Sequence, residues 1–286
     1  MTQIDIIKTR VSCRTFENLP ITQDLMDKMT EFIGSNINPP FGSKAEFQII
    51  YTPDIKDKLK IGTYGFINGA QYFIIGKIKK GQRDLEDYGY LMEKIILYAT
   101  SLSLGACWLG GTFTKDSIIK IINLTDDETC PAISPLGYKA EKRGLLEQSL
   151  RKMAGSDNRI PFTELFFEES LDTPLVHDNS NPYIIPLEMV RLAPSASNKQ
   201  PWRIIKEIGK NIFHFYIIRP NNYEKTKGVS ILTKLLKVAD LQRVDIGIAM
   251  SHFEISCNEL GLNGHWEESS TNKIINGAQY IVTWQG

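Results

Sequence analysis

Apolar residues recur at helical spacing in two long stretches of the chain and at strand spacing in several short ones. Within residues 87–108, Leu91, Ile95, Tyr98 and Leu102 lie three and four apart, which predicts a long helix of roughly 30 Å with that stripe buried. A second long helix is predicted from Asp245 to Gly261. Shorter helices are expected over 3–10, over Leu25–Ile33 behind the capping segment Ile21-Thr22-Gln23-Asp24 and closed by Gly34, over 55–59 and over 187–192. Helix-like pieces also fall at 145–153 and 162–167. Alternating or β-branched runs predict strands at 46–51, 70–75, 132–136 (leaving through a Gly137-Tyr138 turn), 204–208, 212–218 and 278–283. Helices thus mix with non-consecutive strands, so an α+β arrangement of mixed sheet and flanking helices is expected rather than a doubly wound parallel fold.

The two long stretches are also alike in detail. Residues 87–108 and 245–266 align without a gap at a spacing of 158, so that Asp87/Asp245, Gly89/Gly247, Met92/Met250, Leu102/Leu260, Leu104/Leu262 and Trp108/Trp266 coincide. Upstream, 39–50 runs against 194–205 at a spacing of 155. A pattern written twice implies two similar halves forming a pseudo-dimer within one chain. The expected boundaries are a first half over 1–160, a wrapping linker over 161–186 and a second half over 187–286. Polar residues differ between the copies, so a site built from them need not occur twice.

The chain has 286 residues with 42% hydrophobic content, enough for one large or two ordinary cored domains. Lysine plus arginine equal aspartate plus glutamate at 33 each, and no basic run occurs, so nucleic-acid and anionic-membrane partners are not expected. The start, Met1 to Lys8, interleaves charge with apolar residues and lacks the form of a signal peptide. Cys13, Cys107, Cys130 and Cys257 form no CxxC pair, which points away from zinc and from a disulfide framework and toward a reducing, cytoplasmic setting. His177, His214, His252 and His265 show no metal-ligand spacing, so no metal is expected.

Four segments carry candidate chemistry. In Arg10-Val11-Ser12-Cys13-Arg14-Thr15-Phe16 an extended backbone sends Arg10, Ser12 and Arg14 to one face, where they suit a phosphate; the plainer reading is solvated loop charge. Ala193-Pro194-Ser195-Ala196-Ser197-Asn198-Lys199-Gln200-Pro201-Trp202 packs donors and acceptors closely enough for the edge of a planar heteroaromatic ring, although the same residues make ordinary turns and caps. Gly110-Gly111, after Trp108, permits close approach of backbone N–H groups to a ligand, or a plain turn. Arg159, in Asn158-Arg159-Ile160-Pro161, is an isolated cation with an exposed linker role as its alternative.

Taken in order, these segments, with Leu104-Gly105-Ala106-Cys107-Trp108-Leu109-Gly110-Gly111 and Leu136-Gly137-Tyr138, resemble the nitroreductase family over nearly the whole chain, specifically its single-chain, internally duplicated, TM nitroreductase-like branch. The resemblance implies FMN as cofactor and NAD(P)H as reductant. Arg10, Ser12, Arg14 and Arg159 would serve the phosphate and ribityl side, and the backbone of Gly110 and Gly111 flavin N5. Pro194, Ser195, Ser197, Asn198 and Gln200 would serve the ring edge. No catalytic acid or base is implied, because the flavin carries the chemistry. The second half has no copy of the Arg10-x-Ser12-x-Arg14 segment and residues 39–47 lack the ring-edge residues, so one FMN per chain is expected; in the ring-edge loop Ala196, followed by Ser197, stands where the family has a second serine. The implied activity is electron transfer to a small acceptor such as a nitroaromatic or quinone, by a chain that is monomeric as a fused pseudo-dimer. The alternatives are an FMN protein with a storage, sensing or other flavin role, and a duplicated scaffold that has lost FMN.

Overall fold

The computed structural model describes residues 1–35, 38–52, 67–110, 121–141, 155, 158–219, 239–268, 275 and 277–286. The chain divides into two compact units: one of Met1 with Thr9–Asp157, the other of Thr2–Lys8 with Asn158–Gly286. Each carries its own sheet.

In the first unit, β1 (Ala45–Tyr51), β2 (Tyr72–Lys79), β6 (Ala132–Tyr138) and β3 (Leu104–Ala106) are neighbours in that order, all antiparallel. Two-residue strands β4 (Leu109–Gly110) and β5 (Glu128–Thr129) pair with β6 and β2. β2 alternates its side chains between two cores. Tyr72, Ile74 and Ile78 meet the helices α2 (Gln23–Gly34) and α3 (Asp84–Ser101), while Phe73 and Ile75 pack with Cys13, Phe16, Leu109 and Ile133. Burial on both faces is why this strand reads as a continuous apolar run instead of an alternating one.

The second unit opens with α1 (Gln3–Thr9), whose Gln3 and Ile4 N–H groups donate to the Glu259 carboxylate, and places α4 (Phe162–Leu165) before its first strand. Its sheet runs β7 (Phe166–Glu168), β8 (Trp202–Lys206), β9 (Ile212–Ile218), β11 (Ala278–Gln285) and β10 (His265–Glu267). Only the β7–β8 pair is parallel. Two helices, α5 (Ile184–Leu192) and α6 (Leu241–Glu259), pack on each other, and Phe253 of α6 lies in an aromatic cluster with Tyr183, Phe213, Phe215, Trp266 and Trp284. With β7 set aside, the order β8-β9-β11-β10 follows the same connectivity as β1-β2-β6-β3 in the first unit, with a long helix between the second strand and the short one in each.

The long helices differ from the reading of the sequence at their ends. α3 stops at Ser101, because Ser103 takes a positive φ of 62° and redirects the chain into β3. β3 can pair because Gly105 leaves room: a Cβ there would lie 2.9 Å from the Cys13 sulfur. Likewise β6 runs on through Gly137 and Tyr138 to meet β3 rather than turning there. Phe166 and Phe167, read as the end of a helix, belong to β7, where parallel pairing with β8 outweighs helix propensity. The helices expected at 55–59 and 145–153 lie outside the described residues. Among the described residues no helix is long and apolar enough to cross a membrane.

Glycine controls how the N-terminal segment seats on the first sheet. Gly69, at φ 79°, would bring a Cβ to 2.1 Å from the Phe16 carbonyl oxygen, whereas Gly81 has open space around it. Gly69→Ala should therefore lower stability by about 2 kcal/mol or more, and Gly81→Ala should change it by less than about 1 kcal/mol. Urea denaturation of the two variants checks this; equal midpoints would show that the Phe16 contact does not constrain the turn.

Candidate functional site

In the first unit, residues 12–17 are extended and stitched on both sides. Cys13 N–H donates to the Ala106 carbonyl at 2.9 Å, Phe16 N–H to Asn68 at 2.9 Å and Glu17 N–H to Tyr138 at 2.9 Å, while Arg14 accepts from Asn68 N–H at 2.9 Å. Cys13 and Phe16 are buried, and Ser12 and Arg14 are partly exposed. Arg14 forms no ion pair or side-chain hydrogen bond with the described residues.

Arg10 has a different environment. Its Nε lies 3.6 Å from Glu93 Oε1, with the Arg10 side chain 6% exposed and Glu93 wholly buried in α3. Glu93 also accepts from Trp108 Nε1 at 2.6 Å. The Arg10–Glu93–Trp108 chain ties the start of the candidate anion segment, the middle of α3 and the strand that leads to Gly110 to one carboxylate. Gly110 ends β4, paired with Ala132. Gly111 lies outside the described residues. Glu93 is not among the residues that the sequence motifs single out, and its signal there is a carboxylate set among the apolar residues of a predicted helix.

In the second unit, α5 ends at Leu192 and Pro194 follows its cap, as the lack of an N–H dictates. The loop beyond is strained. Ala196–Asn198 form a single 3₁₀ turn, and Ser197, Asn198 and Gln200 all take positive φ, at 50°, 53° and 46°. A dense network holds these conformations. Asn198 N–H donates to the Ser195 carbonyl at 2.9 Å and Gln200 N–H to Ser195 Oγ at 2.8 Å. Gln200, 2% exposed, accepts from Ile160 N–H at 3.0 Å and donates its amide to Asn198 at 3.3 Å. Asn198 Nδ2 donates to the Asn158 carbonyl at 3.0 Å.

Arg159 joins this network. Its Nη1 donates to Asn158 O at 2.9 Å and to Asn198 Oδ1 at 3.4 Å, and its Nη2 to the Leu192 carbonyl at 3.3 Å. Arg159, Ser195, Asn198 and Gln200 are thus brought together, and Ser197 is the exposed residue at the tip of the turn. The Gln200 side chain is a buried strut of the loop. Below it, Asp245 of α6 accepts from Ala196 N–H through Oδ1 at 2.9 Å, while its buried Oδ2 has no hydrogen-bond partner. Burial pushes the Asp245 carboxyl well above the ordinary carboxylate range, with Ala196 N–H opposing and Asp240 reinforcing the shift. Among the described residues no group of three or more His, Cys, Asp or Glu is placed to hold a metal ion.

The fold and these two clusters define an α+β protein with an open cationic segment and a polar, strained loop. Residues 3–257 match the family model described as "Putative TM nitroreductase", and the chain belongs to that family. Among solved structures, it is similar to a "putative nitroreductase" from Thermotoga maritima MSB8, at 19% identity over 99% of this chain and 93% of that one, with a TM-score of 0.60. It also matches a nitroreductase family protein from Clostridium difficile 630 at 21% identity, covering 57% of this chain and 96% of that one, with a TM-score of 0.45. A nitroreductase with bound FMN from Desulfitobacterium hafniense DCB-2 matches at 18% identity over 50% of this chain and 92% of that one, with a TM-score of 0.42. No curated protein sequence matches the chain. The likeness to the Thermotoga chain is one of fold.

Two measurements test the electrostatics. Glu93→Leu leaves the Arg10 guanidinium buried without its counter-charge and should cost about 3–5 kcal/mol, of which a further Arg10→Met recovers part. Chemical denaturation of the single and double variants reads the coupling, and purely additive effects would show that the pair does not interact. Asp245 gives a pH signature. Its protonated form is favoured by folding, so its contribution is complete below the unfolded carboxylate range near about pH 4 and is lost as pH rises toward the elevated folded value. Between about pH 5 and about pH 8 the melting temperature of the wild type should therefore fall more than that of Asp245→Asn. Parallel curves would refute the shift.

Proposed function

We propose that the chain is a flavin oxidoreductase that binds FMN and passes electrons from NAD(P)H to a small acceptor such as a nitroaromatic or quinone. The observation that carries this reading is Arg14: a guanidinium on a rigidly stitched, extended segment, with Ser12 beside it and no partner among the described residues, in a chain of the nitroreductase family. A cation on a stitched backbone, unpaired among the described residues and two positions from a hydroxyl, suits a phosphate monoester through charge-assisted contacts.

The residues present fit FMN in chemical type. Arg14 and Ser12 take the phosphate, with Arg10 held behind them by Glu93. Ser195, Ser197 and Asn198 supply donors and acceptors for the ring edge, on a loop whose shape Gln200, Arg159 and Pro194 maintain. The backbone at Gly110 and Gly111 serves the flavin N5 side by resemblance. When bound, FMN supplies hydride acceptance from the nicotinamide and delivery to the acceptor. The protein's own part is to bind, orient and tune the electrostatics, without a side-chain acid or base. We further propose a monomeric working form, a small-molecule acceptor and one FMN per chain, the last because the second half carries no Arg-x-Ser-x-Arg segment and Ser43 and Ala45 stand opposite Asn198 and Gln200.

Purified protein should be yellow, bleach on adding NAD(P)H, and release about one FMN per chain, a ratio near two meaning that the second copy also binds. Arg14→Ala should weaken FMN binding about 10- to 100-fold, the equivalent of one charge-assisted contact. Fluorescence titration of the folded apoprotein measures this, and an unchanged affinity would return Arg14 to a solvated loop charge.

A further inference from the structure

The two copies hold their corresponding loops with the same device, used to different extents. In the first unit, Asp87 of α3 accepts from Phe41 N–H at 3.0 Å through Oδ1 and from Ser43 N–H at 2.9 Å through Oδ2. At the spacings that align the copies, Asp87 corresponds to Asp245, Phe41 to Ala196 and Ser43 to Asn198. The first bond is reproduced, Ala196 N–H donating to Asp245 Oδ1 at 2.9 Å. The second is not. Asn198 gives its N–H to the Ser195 carbonyl at 2.9 Å instead, and Asp245 Oδ2 is left buried with no partner although the residue is 3% exposed.

The difference lies in where the loop goes. In the first copy both N–H groups clasp the carboxylate, which draws residues 41–43 down onto α3. In the second a single anchor at Ala196 leaves the next residues to curl into the 3₁₀ turn, with Ser197 and Asn198 at positive φ and the Asn198 side chain joined to Arg159 and Gln200. A short turn with two consecutive non-glycine residues in the left-handed region does not hold itself, so the fixed point at its base sets its direction.

We infer that Asp245 is the positioning residue of the Ser195–Gln200 loop, anchoring it through Ala196 N–H alone so that Ser197 and Asn198 are presented rather than clasped. This inference rests on the proposed FMN reading for the ligand that the loop serves. The anchor itself is a property of the ligand-free protein. Its geometry needs an acceptor at Oδ1, not a charge, so the amide of asparagine serves equally.

Three variants of the full-length chain test the inference: Asp245→Val, which keeps the branched shape and removes the acceptor, Asp245→Asn, which keeps the acceptor, and Asp87→Val as the matching change in the other copy. Hydrogen exchange of the backbone amides of residues 195–200 is measured without FMN, and FMN affinity by titration. Asp245→Val should speed exchange in the loop and weaken FMN binding by about tenfold each, the loss of one hydrogen bond to a buried carboxyl. Asp245→Asn should restore both to within about threefold of the wild type, and Asp87→Val should lower stability while leaving FMN affinity unchanged. Wild-type exchange and affinity in a folded Asp245→Val would overturn the inference, as would an Asp87→Val that weakens FMN to the same degree. If Asp245→Val does not fold, Asp245→Asn decides, and a tenfold loss of loop protection in it overturns the anchor. If the wild type binds no FMN, the flavin reading fails while the exchange arm still decides the anchor.

Discussion

Burying a long helix nearly all round obliges most polar side chains on it to draw partners from neighbouring segments, and the placement of the candidate segments follows from how those partners are chosen. α3 and α6 are both buried on most of their residues, yet they carry Glu86, Asp87, Glu93, Asp245, His252 and Ser256 inside. A buried polar group without a partner costs about 1–3 kcal/mol, comparable with a large share of the net stability of a domain. Each is accordingly tied to a particular neighbour: Glu86 to Arg83, Glu93 to Arg10 and Trp108, Asp87 to Phe41 and Ser43, Asp245 to Ala196, His252 to the Met189 carbonyl and Ser256 to the His252 carbonyl. The helices thereby fix the surface segments that carry the candidate chemistry.

Those segments are themselves unsuited to self-support. Among the described residues, 12–17 have no regular partner strand of full length and rely on isolated bridges to Ala106, Asn68 and Lys139. Glycines at 69, 105 and 137 make the approach possible, since a side chain at 69 or 105 would collide with residues 13–16 and one at 137 would press on the Phe16 ring. The Ser195–Gln200 loop stores backbone strain at three residues and holds it with side-chain bonds from Ser195, Asn198 and Gln200. Strain of this kind persists only where the surroundings over-determine it. Rigid helices and strained or stitched loops are the two parts of one arrangement.

Much of this was legible beforehand, and the failures have physical causes. The apolar runs located the long helices and most strands, because burial on a known period is a local signal. Their ends were missed where tertiary pairing overrode local preference: Leu104–Ala106 leaves the helical pattern to complete a sheet edge, and Phe166–Phe167 joins a parallel pair. The polar loop is legible from its Ser, Asn and Gln content, whereas its internal bonding is not, since the Gln200 amide meets Ile160 and Asn198 only once the chain has folded. Arg10 and Arg14, alike in sequence, part company for a reason that needs a third residue: Glu93, 79 positions beyond Arg14, takes one and leaves the other.

The sequence by itself determined the α+β class, the repeated pattern of 87–108 and 245–266, the family, and the segments in which chemistry resides, because periodicity, composition and motif order are written along the chain. The tertiary structure alone decided which of those polar groups are available. Whether a guanidinium is paired, whether a carboxyl oxygen has a donor, and whether a loop is clasped or presented depend on partners brought close only by folding. Asp87 and Asp245 make the point in the same residue type at corresponding positions: one carboxyl has both oxygens satisfied, the other one only, because a single N–H three residues into a turn was given elsewhere.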